Sequence, residues 1–351
     1  MRGKRIRLLA DQGELELLRE IRLRAGKRVR GGAVRLGIGD DCALLRVRDG
    51  EELAVTTDLS IAGRHFRMDW HPPESVGHRT LARGLSDLAA MGARPLAAFL
   101  SVGVPRELTV RNGRRGSWVE RFFEGLFRLG GHHKTPLAGG DLAESPIALA
   151  DIVLVGAVPA GRALLRSGAR PGDLLYVTGT LGGAAEGLSR LAESAGKGRR
   201  VATDPALCPA ELSRHLFPQP RVQLGMALQR RGLATAAIDL SDGLSTDLAH
   251  LCEESGVGAT VDSSKLPVAD GASLQQALHG GEDYELLFAV RPSIRIPHAV
   301  SGVPVTRIGE VTRLKTGRAR VMIANGTVLK PLEPRGWEHF SSFLSPTERR
   351  P

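Results

Sequence analysis

Leu53-Ala54-Val55-Thr56-Thr57-Asp58, with Gly63-Arg64-His65-Phe66 close behind, is the stretch around which the rest of the chain is read. Its three apolar residues predict a short strand ending in two hydroxyls and a carboxylate. Strand ends of α/β and α+β domains point into the cleft where ligands bind. Hard oxygen donors packed this tightly suit Mg2+, although a turn capped by Thr and Asp needs no ion. Recurrence favours the ligand reading, because further Asp-bearing turns follow along the chain.

Residues 13–25 have helical apolar spacing. Leu36-Gly37-Ile38-Gly39-Asp40-Asp41 then brings two glycines to two acids, without the third glycine or the following helix of a dinucleotide fingerprint. A helix is predicted from Pro73 to Met91, with apolar residues at Val76, Leu81, Leu85, Leu88 and Ala89 and a stop at Gly92. It carries Asp87 on one face with Arg83 and Gly84, where the missing side chain of Gly84 leaves room for an ion or phosphate. Strands are expected at 96–104 and 147–158, the latter interrupted by Asp151, and a helix at about 117–129. Leu137-Ala138-Gly139-Gly140-Asp141 is again a glycine pair meeting an acid.

Beyond Pro159, a strand at 174–178 runs into Gly179-Thr180-Leu181-Gly182-Gly183. Such a turn either binds an anion at a helix N-terminus or only packs tightly. Residues 192–203 read as a polar loop. A strand at 234–240 feeds Ser241-Asp242-Gly243 and a helix at 244–254, so Asp239 and Asp242 flank a strand end. Gly280-Gly281-Glu282-Asp283 is a tight turn into a strand, and Trp337 stands near the end. The boundaries read as a basic extension at 1–12, an N-terminal domain at 13–159, a C-terminal α/β domain at 160–345 and a tail at 346–351.

The length of 351 residues favours two domains. No apolar run approaches the roughly 20 residues of a membrane helix, and the basic N-terminus lacks the apolar core of a signal peptide. Cys42, Cys208 and Cys252 are far apart, so a disulfide scaffold or zinc site is not expected and a reducing cytoplasm fits. The net charge is +10, but residues 1–30 hold ten Lys/Arg against four Asp/Glu, placing +6 in one segment. With aromatics at 4% and no recognition motif, nucleic-acid binding is not expected. A basic surface that attracts phosphorylated small molecules is.

If Asp41, Asp58, Asp87, Asp141, Asp239 and Asp242 converge, they cannot all stay ionised without cations. The seven lysines lie outside these motifs, which leaves several Mg2+ ions as the neutraliser and a nucleotide polyphosphate as the source of further oxygens. P-loop and protein-kinase signatures are missing. The expected ATP site is therefore non-standard, built from acids, glycines and Arg166.

As a set, these segments resemble the bacterial thiamine-monophosphate kinases, within the superfamily that includes aminoimidazole-ribonucleotide synthetase. The resemblance is carried by Gly37–Leu45, Thr56–Asp58 with Gly63–Phe66, Leu85–Pro95, Gly139–Asp141, Arg162–Asp173, Tyr176–Thr180, Ile238–Leu244, Gly280–Leu286 and Gly336–Phe340. It implies an α+β N-terminal domain whose mixed or antiparallel sheet pairs with its twin in a homodimer, followed by an α/β C-terminal domain. It also implies ATP-dependent, Mg2+-assisted phosphorylation of thiamine monophosphate to thiamine diphosphate. Carried over by position, Asp41, Thr56, Thr57, Asp58, Asp87, Asp141, Asp239 and Asp242 resemble metal ligands. Gly140, Asp141, Arg166 and Ser241 resemble ATP contacts, and His65, Glu282 and Trp337 resemble the thiamine-phosphate site. The chain departs from the family's usual Asn, Thr and Arg at Gly84, Leu142 and Glu144.

No general base is expected, because the attacking phosphate oxygen is already largely deprotonated near neutrality; Arg166 would stabilise charge. The alternatives are another ATP-dependent enzyme of the superfamily acting on a different small substrate, or a nucleotide-binding regulator with a dead site. A hydrogenase-maturation member would need a C-terminal Cys and a selenophosphate synthetase a reactive N-terminal one. This chain ends Arg350-Pro351 and has no Cys before Cys42.

Overall fold

The computed structural model describes residues 14–26, 32–111, 113, 116–196, 204–315, 317 and 319–337. The expected basic extension at 1–12, loop residues 197–203, residues 338–340 of the last motif and the tail at 346–351 lie outside the described residues.

The first half runs α1 (Glu14–Gly26), β1 (Val34–Leu36), β2 (Leu44–Leu45), β3 (Glu51–Ile61), α2 (Pro73–Ala90), β4 (Arg94–Val104), α3 (Trp118–His132), β5 (Leu137–Glu144) and β6 (Leu149–Pro159). Strands β3-β6-β4-β5 form one mixed sheet in that order, antiparallel except for β4 and β5. Pro at its first position starts α2. A Ser117–Glu120 capping box starts α3, satisfying otherwise orphaned backbone amides. Helix α2 lies on one face of the sheet, and its apolar stripe (Val76, Leu81, Leu85, Leu88) is buried against Ile152 and Leu154 of β6.

The second half runs β7 (Leu174–Thr178), α4 (Gly183–Gly196), α5 (Ala210–Leu216), α6 (Val222–Arg231), β8 (Ala236–Asp239), α7 (Leu244–Glu254), β9 (Gly258–Asp262), α8 (Leu274–His279), β10 (Leu286–Val290), β11 (Ala299–Val300), β12 (Val303–Thr312), β13 (Val321–Asn325) and β14 (Val328–Pro331). Its eight-stranded sheet is ordered β14-β13-β9-β12-β7-β10-β8, with β11 on β12. One buried cluster joins the halves, uniting Leu88 and Ala89 of α2 with Leu224 and Leu228 of α6 and Phe288 of β10. A Cβ on Gly225 of α6 would stand 1.9 Å from the Ala89 carbonyl, so the two helices meet backbone to backbone.

Three expectations change. The strand at 53–55 continues to Ile61, because every residue from Glu51 to Ile61 pairs with β6. Thr56, Thr57 and Asp58 are therefore mid-strand, not at a strand end. Residues 192–196, expected in a loop, complete α4. The space beside Gly84 is filled: a Cβ there would lie 2.7 Å from Leu154 and 3.4 Å from Thr56, so the glycine lets α2 sit on the sheet and leaves no room for an ion.

Candidate active site

Pleating divides the central motif. Side chains alternate along β3, so Thr56 and Asp58 face α2 while Thr57 faces the other side. Thr56 donates its hydroxyl to Asp87, one turn along α2 from Arg83. Arg83 lies 4.0 Å from the Asp58 carboxylate and donates to the Leu59 carbonyl at 3.1 Å. From the second half, Asp239 ends β8 and accepts from Ser86 of α2 at 2.7 Å. Asp242 follows in the loop before α7.

The electrostatics show that these carboxylates sense one another. Burial, then Asp87, Asp151 and Asp242, push the Asp58 carboxyl up to about 6 against the pull of Arg83. Burial and Asp87 push Asp239 up to about 7, offset by Ser86 and Arg166. Burial raises Asp87 as well, against Thr56, Arg166 and Arg83. Arg166, on the exposed segment before β7, is thus the cation that both Asp87 and Asp239 feel.

The remaining expected ligands stand elsewhere. Thr57 donates to Asp151 of β6 at 3.0 Å on the opposite face. There Leu59, Asp151, Ser101 and Asp141 fall in register across the sheet, with Asp141 on its far edge strand. Asp41 occupies an exposed bend after β1. Gly140, at φ 150°, has a plain packing reason: its Cβ would meet the Leu100 carbonyl at 2.0 Å. The expected ligands are thus split between two faces of one sheet. Among the described residues, no three His, Cys, Asp or Glu side chains are close enough to hold an ion by themselves. Hydroxyl and carboxylate oxygens whose ionisation is disfavoured are nonetheless a donor set that suits Mg2+.

Of the residues expected at the substrate end, Glu282 and His65 meet around Arg79 on the Arg83 side, and Trp337 lies by Asp242. Glu282, 24% exposed at its side chain, accepts from Arg79 at 2.6 Å and lies 3.4 Å from Arg83. Burial alone would raise its carboxyl; Arg79 above all, with Arg83, holds it well below the usual carboxylate range. The carbonyl of His65 accepts from Arg79 at 3.2 Å, and its Nδ1 accepts from the Ile61 amide at 3.1 Å. Trp337 is 49% exposed, and its backbone amide donates to the Asp242 carbonyl at 3.2 Å. Ser241 uses its carbonyl to accept from the Glu282 amide at 2.7 Å, tying the loop that carries Asp242 to the turn that carries Glu282.

The glycine turn before α4 resolves in favour of packing, since Asp283 accepts from the amides of Gly182 and Ala184 at 2.6 and 2.9 Å and so fills the helix N-terminus. Several residues escaped sequence reasoning. Asp247 of α7 is buried and accepts from the amides of Asp242 and Gly243 at 3.1 and 3.0 Å; burial with Asp239 and Asp242 pushes it up to about 8. Asp151 did leave a signal, as the one acid inside an apolar strand. Arg79 left none, because it reads as an ordinary helix-face cation.

Comparison with known proteins decides the family. Residues 39–158 match the N-terminal domain, and 170–322 the C-terminal domain, of the AIR synthase related proteins. The thiamine-monophosphate kinase of Escherichia coli K12 is 40% identical over 321 residues, 88% of this chain and 93% of that one. The chain belongs to the thiamine-monophosphate kinases. The crystal structure of such a kinase from Stenotrophomonas maltophilia K279a superimposes with a TM-score of 0.73 at 36% identity, covering 89% of this chain and 96% of that one. A structure of AaThiL complexed with AMPPCP and TMP superimposes at 0.70 with 30% identity, covering 97% and 99%. In this thiamine-monophosphate kinase family member the two matched regions correspond to the two halves of the fold, and Asp58 and Asp239, one from each, sense one another.

Proposed function

We propose that this chain transfers the terminal phosphoryl group of ATP to the phosphate of thiamine monophosphate, giving thiamine diphosphate, with several Mg2+ ions as counter-ions. The observation that carries this reading is the approach of Asp58, Asp87, Asp239 and Asp242 from both halves of the chain, with the first three carboxyls raised and Arg83 and Arg166 among them. Thr56, Asp58, Asp87, Asp239 and Asp242 would hold Mg2+ on the α2 side. Thr57, Asp141 and Asp41 would serve ions apart from these. When bound, Mg2+ would supply the positive charge that the polyphosphate needs during transfer.

Arg166 is exposed and able to reach a transferring phosphoryl group, with Gly140, Asp141 and Ser241 as further ATP contacts. The acceptor phosphate has a second pKa of about 6, so no protein base is required. At the other end Glu282 would receive the cationic or amine-bearing part of thiamine, the half-exposed Trp337 would stack on a ring, and His65 would lie toward the phosphate. We propose a homodimer through β3, an edge strand on which Leu53, Val55 and Leu59 are 51, 63 and 46% exposed on one face. The free thiols of Cys42, Cys208 and Cys252 agree with a cytoplasmic enzyme, and no helix among the described residues is long and apolar enough to cross a membrane. The domain boundary is proposed at Pro159, where β6 ends.

An ADP-release assay offering thiamine, thiamine monophosphate and aminoimidazole precursors side by side tests the reading. Mg2+-dependent release with thiamine monophosphate alone is expected. Release driven by an aminoimidazole compound, or by none of the three, would overturn it.

A further inference from the structure

Beneath Glu282 lies a pair of buried histidines that the reaction does not use. His71, after the turn that follows β3, and His215, on α5, are 5 and 2% exposed, and their Nε2 atoms are 3.0 Å apart. Two ring nitrogens at that distance share one proton, and the neighbours decide which carries it. The Arg67 amide approaches His71 Nδ1 at 3.1 Å. The Arg67 carbonyl, 3.2 Å from the same nitrogen, already accepts from the amides of Trp70 and His71 at 3.2 and 2.9 Å. His71 Nδ1 is therefore the acceptor, and its Nε2–H donates to His215 Nε2.

His215 then carries its proton on Nδ1, 3.6 Å from Glu282 Oε2. That is beyond a formed hydrogen bond, so the contact acts by electrostatic steering. Arg79 braces the same ring without choosing between its nitrogens. Its Nη1 donates to the His215 carbonyl at 2.6 Å and lies 3.2 Å from both His215 ring nitrogens, while its Nη2 holds Glu282 Oε1 at 2.6 Å, so the assignment rests on His71. Burial and Arg79 keep both rings neutral, His71 pulled down to about 3 and His215 well below its ordinary value; Glu282 faces both, and Asp69 faces His71. Glu282 itself sits at φ 69°, a left-handed backbone that only a well-determined surrounding sustains.

We propose that His215, backed by His71, is a positioning residue for Glu282: its Nδ1–H steers Oε2 while Arg79 holds Oε1, so the carboxylate meets the cationic, amine-bearing end of the substrate in one orientation. This rests on the reading of Glu282 as a substrate contact.

The test is steady-state kinetics on full-length Glu282→Gln, His215→Phe and His215→Asn enzymes, with long-range proton–nitrogen NMR of the imidazoles. Glu282→Gln is expected to raise the KM for thiamine monophosphate about tenfold or more, and His215→Phe about fivefold with kcat and the ATP KM within about twofold. His215→Asn, whose amide N–H takes the place of Nδ1–H, should stay within about twofold of wild type. The spectra should show His71 protonated on Nε2 and His215 on Nδ1. Equal effects of Phe and Asn, an unchanged KM in His215→Phe alongside a raised one in Glu282→Gln, or His215 protonated on Nε2 would each overturn the proposal. An unchanged KM in Glu282→Gln would instead remove Glu282 from the substrate site and the proposal with it. If His215→Phe does not fold, His71→Leu against His71→Gln, which keeps the Nε2 donor, makes the same comparison: a raised KM in Leu alone supports the relay, and equal values overturn it.

Discussion

Ser86 of α2 donates its hydroxyl to Asp239 at the end of β8, 2.7 Å away, and both residues are buried. One comes from each half of the chain, so this bond helps hold the second half's carboxylate against the first half's acids. Replacing Ser86 by Ala leaves a buried carboxylate short of a donor, which costs about 1–3 kcal/mol. Chemical denaturation should show that loss, and the Mg2+ needed for half-maximal activity should rise. An unchanged midpoint would mean the bond contributes nothing.

Asp58→Asn removes a carboxylate whose ionisation burial and its neighbours oppose. Turnover should fall by about 100-fold or more, while the melting temperature without Mg2+ stays level or rises, because repulsion is relieved. Near wild-type activity at limiting Mg2+ would exclude Asp58 as a ligand.

Val55 is 63% exposed on an edge strand. A dimer through this face should dissociate in Val55→Lys, where a charge would be buried without a partner. Sedimentation should show the variant as a 37.5 kDa monomer and wild type at twice that mass. A monomeric wild type at micromolar concentration would dismiss the dimer.

Trp337 keeps its backbone bond to Asp242 whatever its side chain. Trp337→Ala should therefore raise the thiamine-monophosphate KM several-fold, as expected from loss of a cation–π contact of about 0.5–2 kcal/mol. The ATP KM and melting temperature should hardly move. If the melting temperature falls and both KM values shift together, the ring is only an anchor.

Burial holds His71 neutral, its folded value near 3 against 6.5 unfolded. Between those values the unfolded chain binds the extra proton, so this contribution is complete above about pH 6.5 and is lost as pH falls, by about 2 kcal/mol at pH 5. The raised acids Asp58, Asp239 and Asp247 tilt stability the other way, since the folded state holds their protons more tightly. The difference between wild type and His71→Gln isolates the histidine. That difference should shrink from pH 7 to pH 5, and parallel curves would contradict a neutral His71.

Helices were the legible part of the sequence. The proline start and apolar period of α2, and the span of α7, are local signals. Strand extents were not. Residues 56–58 are three polar residues in a row, and only pairing with β6 reveals that β3 continues through them to Ile61. Aspartates at expected strand ends announced Asp58, Asp239 and Asp242, and the glycine-faced helix announced Asp87. Which face each side chain takes was hidden, because it depends on register, and so Thr57 and Asp141 parted from the others. The frame around Glu282 was the least legible. Arg79 and His215 are 136 residues apart, and Arg79 and Glu282 are 203 apart. Each looks unremarkable in its own helix or turn.

The backbone contact between Gly225 and Ala89 has a consequence for the life of the molecule. Helix α2 is joined by the chain to the first half, yet α6 and β10 complete the core around it. Cutting the polypeptide between the halves would yield two fragments with bare apolar faces, not two independent domains. The acids that meet between the halves therefore come together only when both halves are folded, and damage to either half is expected to scatter them.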